Sequence, residues 1–213
     1  MSVASNLESV RQRIERAGRD PGDVTIVAVT KGFGPAVARE ALHAGLRILG
    51  ENRVQEGIAK MHEVGDAEWH LIGHLQTNKV PAAVHHFAMI QTVDSMRLAE
   101  AIAREEPEMP VLVEVNVARE PQRTGVDPED APELIEQVGR ILALNGLMAM
   151  GPAEGDPKPA FKELHRLHGE AQERLGKRLP ILSMGMSSDF EAAVRCGSTM
   201  VRLGQALFGP RPQ

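Results

Sequence analysis

From residue 24 to near its end, the chain alternates short apolar runs with longer amphipathic stretches. The runs at 24–29, 46–50, 69–72, 87–91, 111–117, 147–150, 181–184 and 199–203 are rich in Val, Ile, Leu and Met and too short for independent helices, so the pattern predicts strands. Helical spacing fills the intervals at 35–44, 51–64, 76–86, 95–106, 128–143, 159–175 and 188–196, and a last turn opens at 205–208. Pro81 disturbs the third of these helices. Asp127 and Pro128 read as the cap and first residue of the helix at 128–143. An extra amphipathic helix at 7–17 precedes the first strand and is stopped by Gly18 and the Asp20-Pro21-Gly22 turn. Eight strands alternating with helices predict a single (β/α)8 barrel domain over 1–213, with a doubly wound sheet as the alternative.

Composition narrows the function classes. The 213 residues carry a net charge of -5, and aromatic residues make up 3% of them. No Lys/Arg run is long enough to track a phosphate backbone and few rings are available to stack on bases, so nucleic acid is not the expected partner. No apolar stretch reaches membrane-spanning length and the first residues lack a signal-peptide core. Cys196 is the single cysteine, which excludes an intrachain disulfide. The expectation is a soluble cytoplasmic protein with no membrane partner.

Lys31 is the first candidate for chemistry. It follows Val29-Thr30 at the end of the first strand, and Gly32, Gly34 and Pro35 break the chain just after it. In α/β folds the carboxyl ends of strands carry the active groups. Burial there favours a neutral amine, the form that attacks an aldehyde to make a Schiff base. Taken alone, the segment better describes a solvated lysine opening a loop; the rest of the chain reverses that order. Other polar residues recur at the same ends: Asn52 after strand two, His70 and Gly73 at strand three, Asn116 at strand five, Ser183 to Ser188 at strand seven, and Arg202, Gly204 and Gln205 at strand eight. The exits of strands seven and eight are where barrels often hold phosphate. Arg202 lies in an otherwise apolar strand and needs a partner. Either a structural carboxylate, Glu51 or Glu114, or a ligand nitrogen or phosphate would serve.

Metal and hydrolase readings are weaker. The eight histidines include His70 and His74, spaced as on a helix but lying at a strand exit, and none has a matching ligand set. His43, His62, His85, His86, His165 and His168 read as surface or packing residues. Gly185-Met186-Ser187-Ser188 lacks the second glycine of a nucleophile elbow.

The residues at 28–31, 50–56, 69–79, 146–150, 182–187 and 197–209, among them Gly50-Glu51-Asn52 and Arg202-Leu203-Gly204-Gln205, resemble the pyridoxal phosphate homeostasis protein family over most of the chain. The resemblance implies the barrel seen in the N-terminal domain of alanine racemase. It implies pyridoxal 5′-phosphate (PLP) on Lys31 as a Schiff base and Arg202 facing the pyridine nitrogen. Ser187, Gly204 and Gln205 would hold the phosphate, Asn52 would line the ring, and His70 and Ser183 complete the cofactor-binding set. Two positions depart from the family: Arg53 stands where many members have tyrosine, and Arg123 where many have lysine. Arginine keeps the charge but cannot form an imine.

The implied function is PLP homeostasis: buffering or delivering the cofactor and balancing amino-acid and keto-acid pools, with little amino-acid turnover. The implied partners are PLP and, transiently, PLP-dependent apo-enzymes, with the protein a monomer. A minimal PLP racemase, a cofactor-free Schiff-base aldolase and a plain interaction scaffold are the alternatives. The chain contains no tyrosine, the residue that supplies the second base in alanine racemases.

Overall fold

The computed structural model describes residues 2–210. Strands and helices alternate as β1 Thr25–Val29, α2 Pro35–His43, β2 Ile48–Glu51, α3 Val54–Val64, β3 Glu68–Leu71, α4 Val80–His86, β4 Met89–Val93, α5 Met96–Glu105, β5 Pro110–Glu114, α6 Ala131–Ile141, β6 Ala143–Met148, α7 Lys158–Leu175, β7 Ile181–Ser183, α8 Phe190–Arg195, β8 Met200–Leu203 and α9 Gln205–Phe208, all preceded by α1 Val3–Arg16. The strands are parallel and close in sequence order, β1 pairing with β8. This is a (β/α)8 barrel with an extra N-terminal helix, and the closure rules out a doubly wound sheet.

Strand alternation explains the layering. Val111 and Val113 face the helices and join the large core, whereas Leu112 packs with Met89 and Met148 in a small apolar cluster inside the barrel. The same alternation sends Lys31, Asn52 and Arg202 toward the barrel mouth. Helix α1 is set by Ser2, whose hydroxyl accepts from Ser5 N–H, and it buries Val3, Leu7, Val10 and Ile14 along one face. Each such side chain contributes about 1.5–3 kcal/mol when fully buried. Two further ties hold α1 in place: Asn6 Nδ2 donates to Leu207 O, and Arg13 pairs with Glu191 while lying over the Phe190 ring.

Several sequence boundaries need correction: α1 starts at Val3 instead of 7, α4 at Val80 instead of 76 after a 3-10 turn at Thr77–Lys79, and β5 ends at Glu114 instead of 117. Glu51 ends β2 and is fully buried, so the helix expected from 51 begins at Val54. The helix expected at 128–143 spans Ala131–Ile141; Pro128 lies in a turn, and the backbone carbonyl of Asp127, rather than its side chain, accepts from Asp130 and Ala131 N–H. Strand β6 then starts at Ala143 instead of 147. Its Leu144 and Gly146 pair with β5 and β7, where burial and sheet hydrogen bonds outweigh helical spacing.

Candidate functional site at the barrel mouth

A cavity of about 390 Å³ opens at the carboxyl ends of the strands. It gathers Lys31, Asn52, Ser187, Arg202, Gly204 and Gln205, six of the eight positions expected from sequence. The other two lie beneath it. His70 and Ser183 are fully buried on inward positions of β3 and β7, one layer deeper in the barrel.

The backbone on both sides of Lys31 is pinned from α3. Lys60 Nζ donates to the Thr30 carbonyl at 2.7 Å, to Glu51 Oε1 at 2.6 Å and to Glu56 Oε1 at 3.0 Å. Glu56 Oε1 also accepts from Gly32 N–H at 3.0 Å. The peptide groups before and after Lys31 are thus held by one ion cluster, which fixes where the half-buried Lys31 side chain enters the cavity. Burial pushes the Glu51 carboxyl up, against the lowering by its Lys60 and Thr30 hydrogen bonds.

Neither of the carboxylates expected for Arg202 binds it. Its Nη1 donates to Ser183 Oγ at 2.7 Å and its Nη2 to the Ala149 carbonyl at 2.8 Å. Glu114 and Asp189 act on it only through their charge, and burial brings its pKa down to about 10. A guanidinium has five N–H donors, so others remain for a ligand in the cavity.

The cavity also presents buried acceptors. Asn52 Oδ1 and Glu114 Oε2 find no hydrogen-bond partner among the described residues. Glu114 Oε1 accepts from Thr124 Oγ1 at 2.9 Å, and burial raises the Glu114 carboxyl above its ordinary range. Asn52 comes this close because residue 73 is glycine: a Cβ there would lie 2.3 Å from the Asn52 carbonyl oxygen.

At the strand-seven and strand-eight exits, Ser187 Oγ accepts from Ala206 N–H at 3.0 Å and joins the two loops. A Cβ on Gly204 would sit 3.2 Å from the Val29 carbonyl oxygen, so glycine keeps this wall close to β1. Neighbouring loops are braced by Asp189 Oδ1, which accepts from Met186 N–H, and by Arg123, which donates to the Gly151 carbonyl and pairs with Glu120. Asn116, expected among the polar residues of the site, holds its own loop by donating to the Glu120 carbonyl.

The family model for the alanine racemase N-terminal domain matches residues 2–212. The pyridoxal phosphate homeostasis protein of Aquifex aeolicus is 39% identical over 216 residues, covering 96% of this chain and 95% of that protein. The chain belongs to the pyridoxal phosphate homeostasis protein family. The Escherichia coli K12 member is likewise 39% identical, over 98% of this chain and 97% of its own length. The structure of PipY from Synechococcus elongatus with PLP bound matches with a TM-score of 0.87 at 37% identity, over 98% of this chain and 100% of that one.

In this pyridoxal phosphate homeostasis family member, sequence reasoning missed several cavity residues. His74 lines the mouth, with Nδ1 3.3 Å from Asp94 Oδ2. Glu114, which the sequence suggests only as a partner for Arg202, also lines the cavity. Its signal was a carboxylate at an inward position of an otherwise apolar run.

Proposed function

We propose that this protein binds PLP on Lys31 as a Schiff base and serves PLP homeostasis in the cytoplasm, buffering the cofactor and passing it to PLP-dependent apo-enzymes. The observation that carries the reading is the convergence of Lys31, Arg202 and the unpartnered Asn52 Oδ1 in one cavity. The residues fit the group. Lys31 offers the amine, Arg202 offers donors to the ring nitrogen, and Asn52 supplies a polar edge beside the ring. Ser187 and the close glycine wall at Gly204-Gln205 suit the phosphate.

When bound, PLP supplies an aldehyde that traps amines and a ring able to withdraw electrons from them. The protein's own residues restrain further chemistry. Arg202 is a poor acid, so it holds its proton instead of handing it to a ring nitrogen. His70, buried under the cavity with both ring nitrogens engaged, is not placed to take a proton from a ligand. The chain has no tyrosine to act as a second base. His74 is a histidine that lines the cavity mouth, and its side chain is 51% exposed. Binding with slow turnover follows from this set.

A visible absorption spectrum of the purified protein tests the reading. A yellow protein that bleaches with hydroxylamine is expected. A colourless protein that gains no visible band when PLP is added contradicts it.

A further inference from the structure

A column of polar side chains runs down the barrel axis below Arg202. Arg202 Nη1 lies 2.7 Å from Ser183 Oγ, which lies 2.8 Å from Gln91 Oε1. Gln91 Nε2 is 2.9 Å from His70 Nδ1, and His70 Nε2 is 2.8 Å from Glu68 Oε1. Ser183, Gln91 and His70 are fully buried, whereas the Glu68 side chain is half-exposed at the opposite face of the barrel. There Glu68 and His70 border a second cavity with Thr25, Met89 and Met200, all at the amino-terminal ends of strands or beside them.

The ends of this column fix its direction. A guanidinium only donates and a carboxylate only accepts. Ser183 accepts from Arg202, so its single hydrogen goes to Gln91 Oε1. Gln91 must then present its amide N–H to His70 Nδ1. His70 accepts there, so it carries its proton on Nε2 and donates it to Glu68. The His70 hydrogen bond is the main influence on Glu68 and holds its carboxyl below the ordinary range, which keeps the terminal acceptor charged. Every bond points the same way, from the cofactor pocket to the far face.

A barrel interior built only for stability fills with apolar layers, as Met89, Leu112 and Met148 do alongside. Burying Ser183, Gln91 and His70 is costly unless all three are satisfied. Here each is satisfied, and the column ends on Arg202, the one guanidinium among the described residues that lines the ligand cavity, which has no carboxylate bonded to it. We propose that Glu68, His70, Gln91 and Ser183 form a unidirectional hydrogen-bond chain that positions Arg202 for its ligand. The idea rests on the cofactor reading above and adds to it positioning residues remote from the pocket. Ser183 and His70 then act through Arg202 and not by touching PLP. Ser183 can hold Arg202 because its own hydrogen is committed to Gln91; with Gln91 removed, that hydrogen turns elsewhere and the guanidinium loses its fixed seat.

The test compares wild type, Gln91→Leu, Glu68→Ala and Glu68→Gln for PLP affinity, visible spectrum and thermal stability without cofactor. Loss of one hydrogen bond in the chain predicts about three- to tenfold weaker PLP binding for Gln91→Leu, with a shifted visible band. Glu68→Ala should move affinity and spectrum in the same direction with less effect on melting, because Glu68 is at the solvent edge. Glu68→Gln, whose amide oxygen still accepts from His70, should restore both. Imidazole ¹⁵N shifts of the cofactor-free protein should put the His70 proton on Nε2; a proton on Nδ1 contradicts the assigned direction. Variants that melt earlier yet bind PLP with wild-type affinity and spectrum would make the column structural only. Should Gln91→Leu not fold, Glu68→Ala decides alone. Wild type failing to bind PLP overturns the cofactor reading itself, a result separate from unaltered binding in the variants.

Discussion

Lys60 Nζ donates to the backbone carbonyl of Thr30 at 2.7 Å, one residue before Lys31. The amine expected to carry the cofactor is therefore set in place by a second, buried lysine on α3. Its neighbours Glu51 and Glu56 complete the clamp, one through Lys60 itself and the other through Gly32 N–H.

Replacing Lys60 with Met removes the cation and leaves the buried Glu51 carboxyl with only the Thr30 hydroxyl as donor. Breaking a buried pair from one side costs about 3–5 kcal/mol, and the lower end is expected here because burial already favours a protonated Glu51. Urea denaturation should show that loss. The variant, studied where it is still folded, should also retain PLP less well. Unchanged stability would mean that the clamp contributes nothing to the Lys31 loop.

Arg202→Met keeps approximate bulk and removes the guanidinium donors from the cavity. Weaker PLP retention and an altered visible spectrum are expected, with far-UV circular dichroism unchanged. The residue is buried, so loss of the guanidinium also frees Ser183 and the Ala149 carbonyl from their partner. Affinity and spectrum equal to wild type would make Arg202 a packing residue.

Most of the architecture was readable from short apolar runs alternating with amphipathic stretches, because a closed parallel barrel buries its strands on both faces and lays a helix between successive strands. The boundaries near 128–147 were not. There the local pattern suits a long helix, and only pairing of Leu144 and Gly146 with the flanking strands makes it sheet. The mouth residues were legible because strand exits are marked by glycine and polar residues in sequence. Depth was not: His70 and Asn52 both sit at inward positions, but one is a layer below the other. The Lys60 clamp was invisible too. Nothing in a helix with Lys60 four residues after Glu56 says that the pair faces a strand end and not solvent.

Glu114 gives a pH signature. Burial raises its folded-state pKa above the unfolded value, so the stability it contributes is complete at acidic pH and is lost as pH rises through the folded value. Glu114→Gln stays neutral throughout. Its melting temperature relative to wild type should therefore climb between acidic and neutral pH. A difference that does not change with pH contradicts a raised Glu114.

Turnover should be slow even with PLP saturating. Incubation of the loaded protein with L-alanine, L-serine and L-threonine in D₂O should show little exchange of the Cα proton. Each tenfold loss of rate corresponds to about 1.4 kcal/mol in the barrier, so a weakly activated ring and a poorly placed base suffice together. Rapid exchange would contradict this expectation.

Borohydride reduction of the PLP-loaded protein, followed by peptide mapping, tests the central claim most directly. The account predicts the pyridoxyl group on the peptide containing Lys31. A label found chiefly on Lys60, Lys79 or any other lysine contradicts it.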